Sequence, residues 1–230
     1  MGLGGWLFAA MYDRMLAGVE NAGLRDRRTR LLTSARGRVV EIGAGTGANL
    51  PLYGTAVESL TLTEPEAPMA RRLEARLRAA ARPASIVTAP AEALPLPNAS
   101  FDTAVSTLVL CTVQDPRRAL QEVWRVLKPG GRLLFIEHVR SDRASLARWQ
   151  DRLNGINQVI GHGCNCNRST LDTIRHAGFV VEEVDVRLVG RCQGCPPGPA
   201  SPKPTRRSTS AQGAPGSPRP TAKARPKGPA

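Results

Sequence analysis

From residue 38 onward, short apolar runs alternate with amphipathic stretches. The runs 38–42, 59–63, 84–88, 101–107 and 132–137 are the right length and composition for buried strands. Between them, 67–81, 116–127 and 144–160 carry apolar residues at helical spacing, and 48–52 reads as a brief helix. Residues 170–176 form a further helix that Gly178 ends, and 179–189 alternates as a sixth strand. Strands separated by helices pair in parallel through right-handed crossovers, so the expected fold is α/β with a doubly wound, mostly parallel sheet. The helix from Pro116 has clear punctuation: Asp115 can cap it, and Lys128-Pro129-Gly130-Gly131 stops it.

The two ends differ from this middle. Trp6, Leu7, Ala10, Met11, Met15 and Leu16 recur near helical spacing, and Leu24, Leu31 and Leu32 continue the stripe. Residues 1–37 therefore read as an N-terminal helical cap over a domain at 38–190, with contact at a membrane surface as its alternative role. Residues 191–230 hold 10 of the 19 prolines, eight Lys/Arg and no acid. Such a Pro/Arg-rich segment buries too little to offset its ordering entropy and is expected to be a disordered tail.

Much of the net charge of +13 belongs to that tail, because residues 1–190 carry 24 basic against 19 acidic side chains. A domain surface specific for nucleic acid is not expected. The basic tail could still serve nucleic-acid or scaffold binding, though without aromatic platforms such binding would be weak and sensitive to salt. The chain has no run of the ~18 apolar residues needed to cross a membrane, and residues 1–10 lack a secretory pattern, so a cytoplasmic location is expected.

The strongest local signal is Val39-Val40-Glu41-Ile42-Gly43-Ala44-Gly45-Thr46-Gly47, an apolar strand running into a glycine-rich turn. Glycines there allow a tight turn and a close ligand approach that a Cβ would block. Glu64 follows at the end of the second strand, placed to accept hydrogen bonds from both ribose hydroxyls of an adenosine. Gly43, Gly45 and Ala48 also satisfy the dinucleotide fingerprint, so an NAD(P)-dependent oxidoreductase is the competing reading. Glu41 speaks against it, since a carboxylate beside the turn repels a pyrophosphate and suits a cationic amino group. The short helix before Pro51 also leaves little dipole for a diphosphate.

At this point the sequence resembles a known family. Residues 39–47 look like motif I of the class I, Rossmann-like methyltransferases that use S-adenosyl-L-methionine. Ala91-Glu92-Ala93-Leu94-Pro95-Leu96-Pro97, Ser100-Phe101-Asp102 and Arg125-Val126-Leu127-Lys128-Pro129-Gly130-Gly131 resemble the type 11 methyltransferase domain. Thr107-Leu108-Val109-Leu110-Cys111-Thr112-Val113, Glu137-His138-Val139 and Gly163-Cys164-Asn165 resemble bacterial relatives of the animal microsomal alkyl-thiol methyltransferases. The resemblance implies a methyltransferase acting on a small molecule such as a thiol or a phenol/quinone precursor. It places Gly43, Ala44, Gly45 and Gly47 at the cofactor's amino-acid end with Glu41 near its ammonium. It puts Glu64 on the ribose, Ala91 and Glu92 beside adenine, and Leu108 facing the cofactor.

Two departures stand out. Pro90 occupies a position where the family often has an adenine-binding Asp, and it supplies neither acceptor nor N–H. The tail stands where the family's last antiparallel strand would come, so that strand is expected to be missing.

Acid–base candidates are Glu137 and His138, after the fifth strand, with bracing of the next segment as the plainer role for His138. Asn49, Trp149 and Asn157 are further candidates to face the acceptor. The five cysteines show no disulfide framework. His162, Cys164 and Cys166 cluster in sequence, but Cys-x-Cys is poor zinc spacing and Cys192-x-x-Cys195 lies in the tail, so no metal site is expected. Cys111, in an apolar run, reads as a packing residue.

Overall fold

A computed structural model of the chain describes residues 12–14, 16–80, 82–161, 163–184 and 222–226. Seven strands form one sheet: β1 (Gly37–Ile42), β2 (Val57–Thr63), β3 (Ser85–Val87), β4 (Phe101–Thr107), β5 (Leu127–Ile136), β6 (Phe179–Val184) and β7 (Ala222–Pro226). Their order is β3-β2-β1-β4-β5-β7-β6. The first five are parallel, and β7 runs antiparallel to both β5 and β6. The α-helices that follow the N-terminal segment are α1 (Arg25–Leu32), α2 (Ala67–Ala80), α3 (Pro116–Val126), α4 (Ala144–Ile160) and α5 (Thr170–His176). Among the described residues no helix is long and apolar enough to cross a membrane.

The strand period of two sorts the core onto two faces. Val40, Ile42, Ala104, Leu133 and Phe135 pack with Ala119, Leu120, Val123 and Val126 of α3 and Ile174 of α5. Val39, Leu60, Leu62, Val105 and Leu134 pack on the other face with Leu31 and Leu32 of α1 and Leu73 of α2. Burial of each such aliphatic side chain contributes roughly 1.5–3 kcal/mol. The start of α3 is as its sequence implies: the Asp115 carboxylate accepts from the Arg117 and Arg118 N–H groups, with Pro116 in the first turn. The helix yields to extended backbone at Leu127, and the pairing of β4 with β5 slips between the Phe101 and Thr103 rows as Lys128-Pro129-Gly130-Gly131 passes.

One expectation needs correction. The last antiparallel strand is present, built by Ala222–Pro226 from within the segment expected to lack structure. The slot between β5 and β6 offers main-chain donors and acceptors on both sides, and it recruits backbone whatever the side chains are. The rest of 191–230 lies outside the described residues, as do 185–189 of the expected sixth strand and residues 1–11. In the N-terminal region, residues 16–19 are helical and lead into a π-helical turn at Glu20–Leu24. Gly23 in that turn adopts φ +111°, kinking the path into α1.

β1 lies between β2 and β4, so the chain's crossovers diverge at the carboxyl ends of β1 and β4. In open α/β sheets that switch point is where ligands bind.

Candidate functional site

The turn after β1 is the floor of the site. Gly43, Gly45 and Gly47 adopt φ of +58°, +58° and +88°. A Cβ on Gly43 would stand 2.7 Å from Cγ2 of Val109, whereas one on Gly45 would meet nothing within 4 Å. Gly43 is thus required by packing, and Gly45 borders open space. The Ala44 N–H donates to the Thr63 carbonyl at 2.8 Å, tying the turn to the end of β2. Next to Thr63, Glu64 is buried, and its Oε2 accepts from the Gly45 N–H at 2.8 Å while Oε1 accepts from the Glu66 N–H at 2.9 Å. Burial pushes the Glu64 carboxyl above its ordinary value, and the two backbone donors pull it back.

Glu41 lies within β1, just before the glycine turn. Only 2% exposed, it accepts from the Tyr53 hydroxyl at 2.7 Å and from Asn49 Nδ2 at 2.8 Å. Residue 41 alternates with Val40 and Ile42 and so faces the interior beneath the turn. Burial raises its carboxyl to about 7, against the pull of Tyr53, Asn49 and Arg28. Arg28, also buried, donates to Asn49 Oδ1 at 3.0 Å, Thr107 Oγ1 at 2.7 Å and Glu20 Oε1 at 2.9 Å. This network joins the first helix, the glycine turn and the end of β4. Arg28, Tyr53 and Thr107 carried no local motif, since their partners are 8 to 79 residues away.

A second tie comes from the N-terminal segment. Asp13 accepts from Thr46 Oγ1 at 2.7 Å and from Arg76 Nη2 at 2.6 Å, fixing that segment to the glycine turn and α2. Tyr12 lies within electrostatic reach of Arg28, Glu64 and Cys111, and burial raises its phenol above the ordinary value. Both residues escaped sequence reading because an exposed-looking Tyr-Asp pair has no signature.

Ala91 is buried, and Glu92 is turned toward the start of α3, accepting from the Gln114 and Asp115 N–H groups at 2.9 and 3.3 Å. The Glu92 carboxylate is therefore engaged in holding that loop. Leu108 follows β4 with φ +62°, unusual for a side chain with a Cβ, and its N–H donates to the Ile136 carbonyl at 2.7 Å.

Glu137 accepts from Ser106 Oγ at 2.6 Å and from the N–H groups of Val109, Leu110 and Cys111 at 3.1, 3.0 and 3.2 Å. It caps the turn that follows Leu108. Burial raises its carboxyl while these four donors oppose the rise. Nδ1 of the half-buried His138 lies 3.2 Å from Cys164 Sγ and 3.7 Å from Cys111 Sγ. Asn49 belongs to the Glu41 network, Asn157 is buried, and Trp149 is exposed on α4. His162, Cys192 and Cys195 lie outside the described residues.

A methyltransferase domain model matches residues 40–135, which span the glycine turn through β5. Over 151 residues the chain is 40% identical to the thiol S-methyltransferase TMT1B of Rattus norvegicus, covering 64% of this chain and 62% of that protein. The chain thus spans less than two thirds of that relative's length. Over 183 residues it is 30% identical to a phosphatidylethanolamine N-methyltransferase of Cereibacter sphaeroides, covering 78% of this chain and 83% of that one. A crystal structure of a SAM-dependent methyltransferase from Thermotoga maritima superposes with a TM-score of 0.59 at 29% identity, over 78% and 83% of the two chains. The glycine turn, the carboxylate on its rim and these likenesses agree: the chain belongs to the class I, Rossmann-like S-adenosylmethionine-dependent methyltransferases.

Proposed function

We propose that this chain transfers a methyl group from S-adenosylmethionine to the sulfur of a small alkyl thiol. One observation carries the choice of acceptor. Among the described residues at the carboxyl edge, Glu41, Glu64, Glu92 and Glu137 all have carboxylate oxygens engaged by donors of the fold. A phenol or a carbon acid needs a base to become nucleophilic. A thiol is the stronger nucleophile once ionised, and one like that of cysteine, with a pKa of about 8.5, already supplies some thiolate near neutral pH and mainly needs positioning. The likeness to thiol S-methyltransferases supports the same acceptor.

The residues fit the cofactor. Gly45 leaves room where a side chain would intrude. Backbone groups of Gly43, Ala44, Gly45 and Gly47 would hold the amino-acid end, Glu64 the ribose, and Ala91 and Glu92 the adenine side. Leu108 would face it from β4. Glu41 acts one layer below, fixing the turn through Asn49 and Tyr53. When bound, S-adenosylmethionine supplies an electrophilic sulfonium methyl. The chain's own part is to hold the glycine turn rigid and keep the acceptor aligned, which accounts for most of the barrier reduction in such transfers.

Release of S-adenosylhomocysteine should be followed with alkyl thiols, phenols and phosphatidylethanolamine vesicles as acceptors. Turnover with thiols that rises as the thiol ionises supports the proposal. Methylation of phenols or of the lipid amine with thiols inert would contradict it.

A further inference from the structure

The fold gathers three cysteines and a histidine that lie far apart in the sequence. Cys111 follows β4, His138 follows β5, and Cys164 and Cys166 belong to the loop between α4 and α5. Cys164 Sγ donates to Cys111 Sγ at 3.6 Å and lies 3.5 Å from Cys166 Sγ. His138 Nδ1 stands 3.2 Å and 3.7 Å from the sulfurs of Cys164 and Cys111. All three cysteines are buried and reduced.

We propose that Cys111, His138 and Cys164 bind a zinc ion. The spacing supports this. Zinc–sulfur bonds of about 2.3 Å and zinc–nitrogen bonds of about 2.0 Å at tetrahedral angles put sulfurs about 3.7 Å apart, and sulfur and nitrogen about 3.5 Å apart. The three observed separations of 3.6, 3.2 and 3.7 Å fall within a few tenths of those edges. The donor atoms of this trio all lie within 4.8 Å of one another.

The backbone carrying the donors is already fixed, which lowers the cost of assembling a metal site. The Cys111 N–H donates to Glu137 Oε2, and its carbonyl accepts from the Asn165 N–H at 2.8 Å. The His138 carbonyl accepts from Thr170 Oγ1 at 3.2 Å. Arg168 Nη1 donates to the Leu110 and Val113 carbonyls, both at 2.8 Å, clamping the 163–168 loop on the 109–113 turn. Charge also balances. Zinc binding releases the two thiol protons of Cys111 and Cys164, the neutral imidazole donates a lone pair and keeps its other proton, and the dication is neutralised by two thiolates. The ion would staple the loop to the sheet edge beside the catalytic face.

The test uses the full chain, kept reduced and stripped of metal with a chelator. Zn²⁺ is titrated against a chromophoric competitor, and Co²⁺ is used as a spectroscopic stand-in. The expected result is one Zn²⁺ per chain, and with Co²⁺ a thiolate-to-metal charge-transfer band and the intense ligand-field bands of four-coordination. Cys164→Ser should lower the affinity by more than the about 10–100-fold that a lost supporting contact costs. The Cys192→Ser/Cys195→Ser double variant should bind as the unaltered chain does. Absence of the thiolate-to-cobalt band in the unaltered chain overturns the proposal without reference to whether any variant folds. So does zinc that survives Cys164→Ser and His138→Gln but is lost with Cys192 and Cys195.

Discussion

The Gly45 N–H donates to Glu64 Oε2 at 2.8 Å, across the crevice between the ends of β1 and β2. That contact joins the bare turn to the buried carboxylate at its rim, the two features to which the proposed function assigns the cofactor. A carboxylate held by two backbone donors presents its remaining lone pairs in a fixed direction.

Glu64→Ala should therefore weaken S-adenosylhomocysteine binding by about 1–3 kcal/mol, the cost of losing charge-assisted hydrogen bonds. Titration calorimetry on the folded variant reads this directly. Unchanged affinity would remove Glu64 from the ribose role.

The glycines separate folding from binding. Gly43→Ala places a Cβ against Val109 at a positive φ and should lower stability by about 1–3 kcal/mol. Gly45→Val meets no protein atom at its Cβ, so most of its effect should fall on cofactor affinity, with about 1–2 kcal/mol of stability lost to the strained φ. Denaturant unfolding and calorimetry on both variants would show the contrast, and equal binding losses would contradict it.

Glu41 gives the stability a pH dependence of defined sign. Its folded pKa of about 7 lies above its unfolded value of 4.5, so the native state holds the proton more tightly. The stabilisation is complete below pH 4.5 and is lost as pH rises through about 7. A shift of that size corresponds to about 3 kcal/mol at most. Glu41→Gln, which cannot ionise, should gain on the unaltered protein across that window in chemical unfolding, and parallel curves would refute the assignment.

Glu137→Gln distinguishes a cap from a base. If the carboxylate serves the three N–H groups and Ser106, the variant should lose about 1–3 kcal/mol of stability while the pH profile of kcat/KM keeps its shape. A lost ionisation in that profile would make Glu137 the base.

The strands, the helices and the glycine turn were legible in the sequence because each is a local pattern: period two, period 3.6, and a run of residues without Cβ atoms. Asp115 and Pro116 announced α3 for the same reason. What escaped was set by tertiary contact. The hydrogen bonds that Tyr53 and Asn49 give to Glu41 had no local pattern to announce them. Strand β7 was illegible because an empty main-chain slot, not side-chain hydrophobicity, specifies it. Cys111, His138 and Cys164 read as unrelated residues, being 26 to 53 positions apart, until the ends of β4 and β5 brought them together.

Calorimetric titration of the unaltered chain with S-adenosylhomocysteine and, separately, with NADH tests the cofactor assignment most directly. Saturable one-to-one binding of S-adenosylhomocysteine with no heat from NADH is the predicted result. Tight NADH binding with no response to S-adenosylhomocysteine would contradict it.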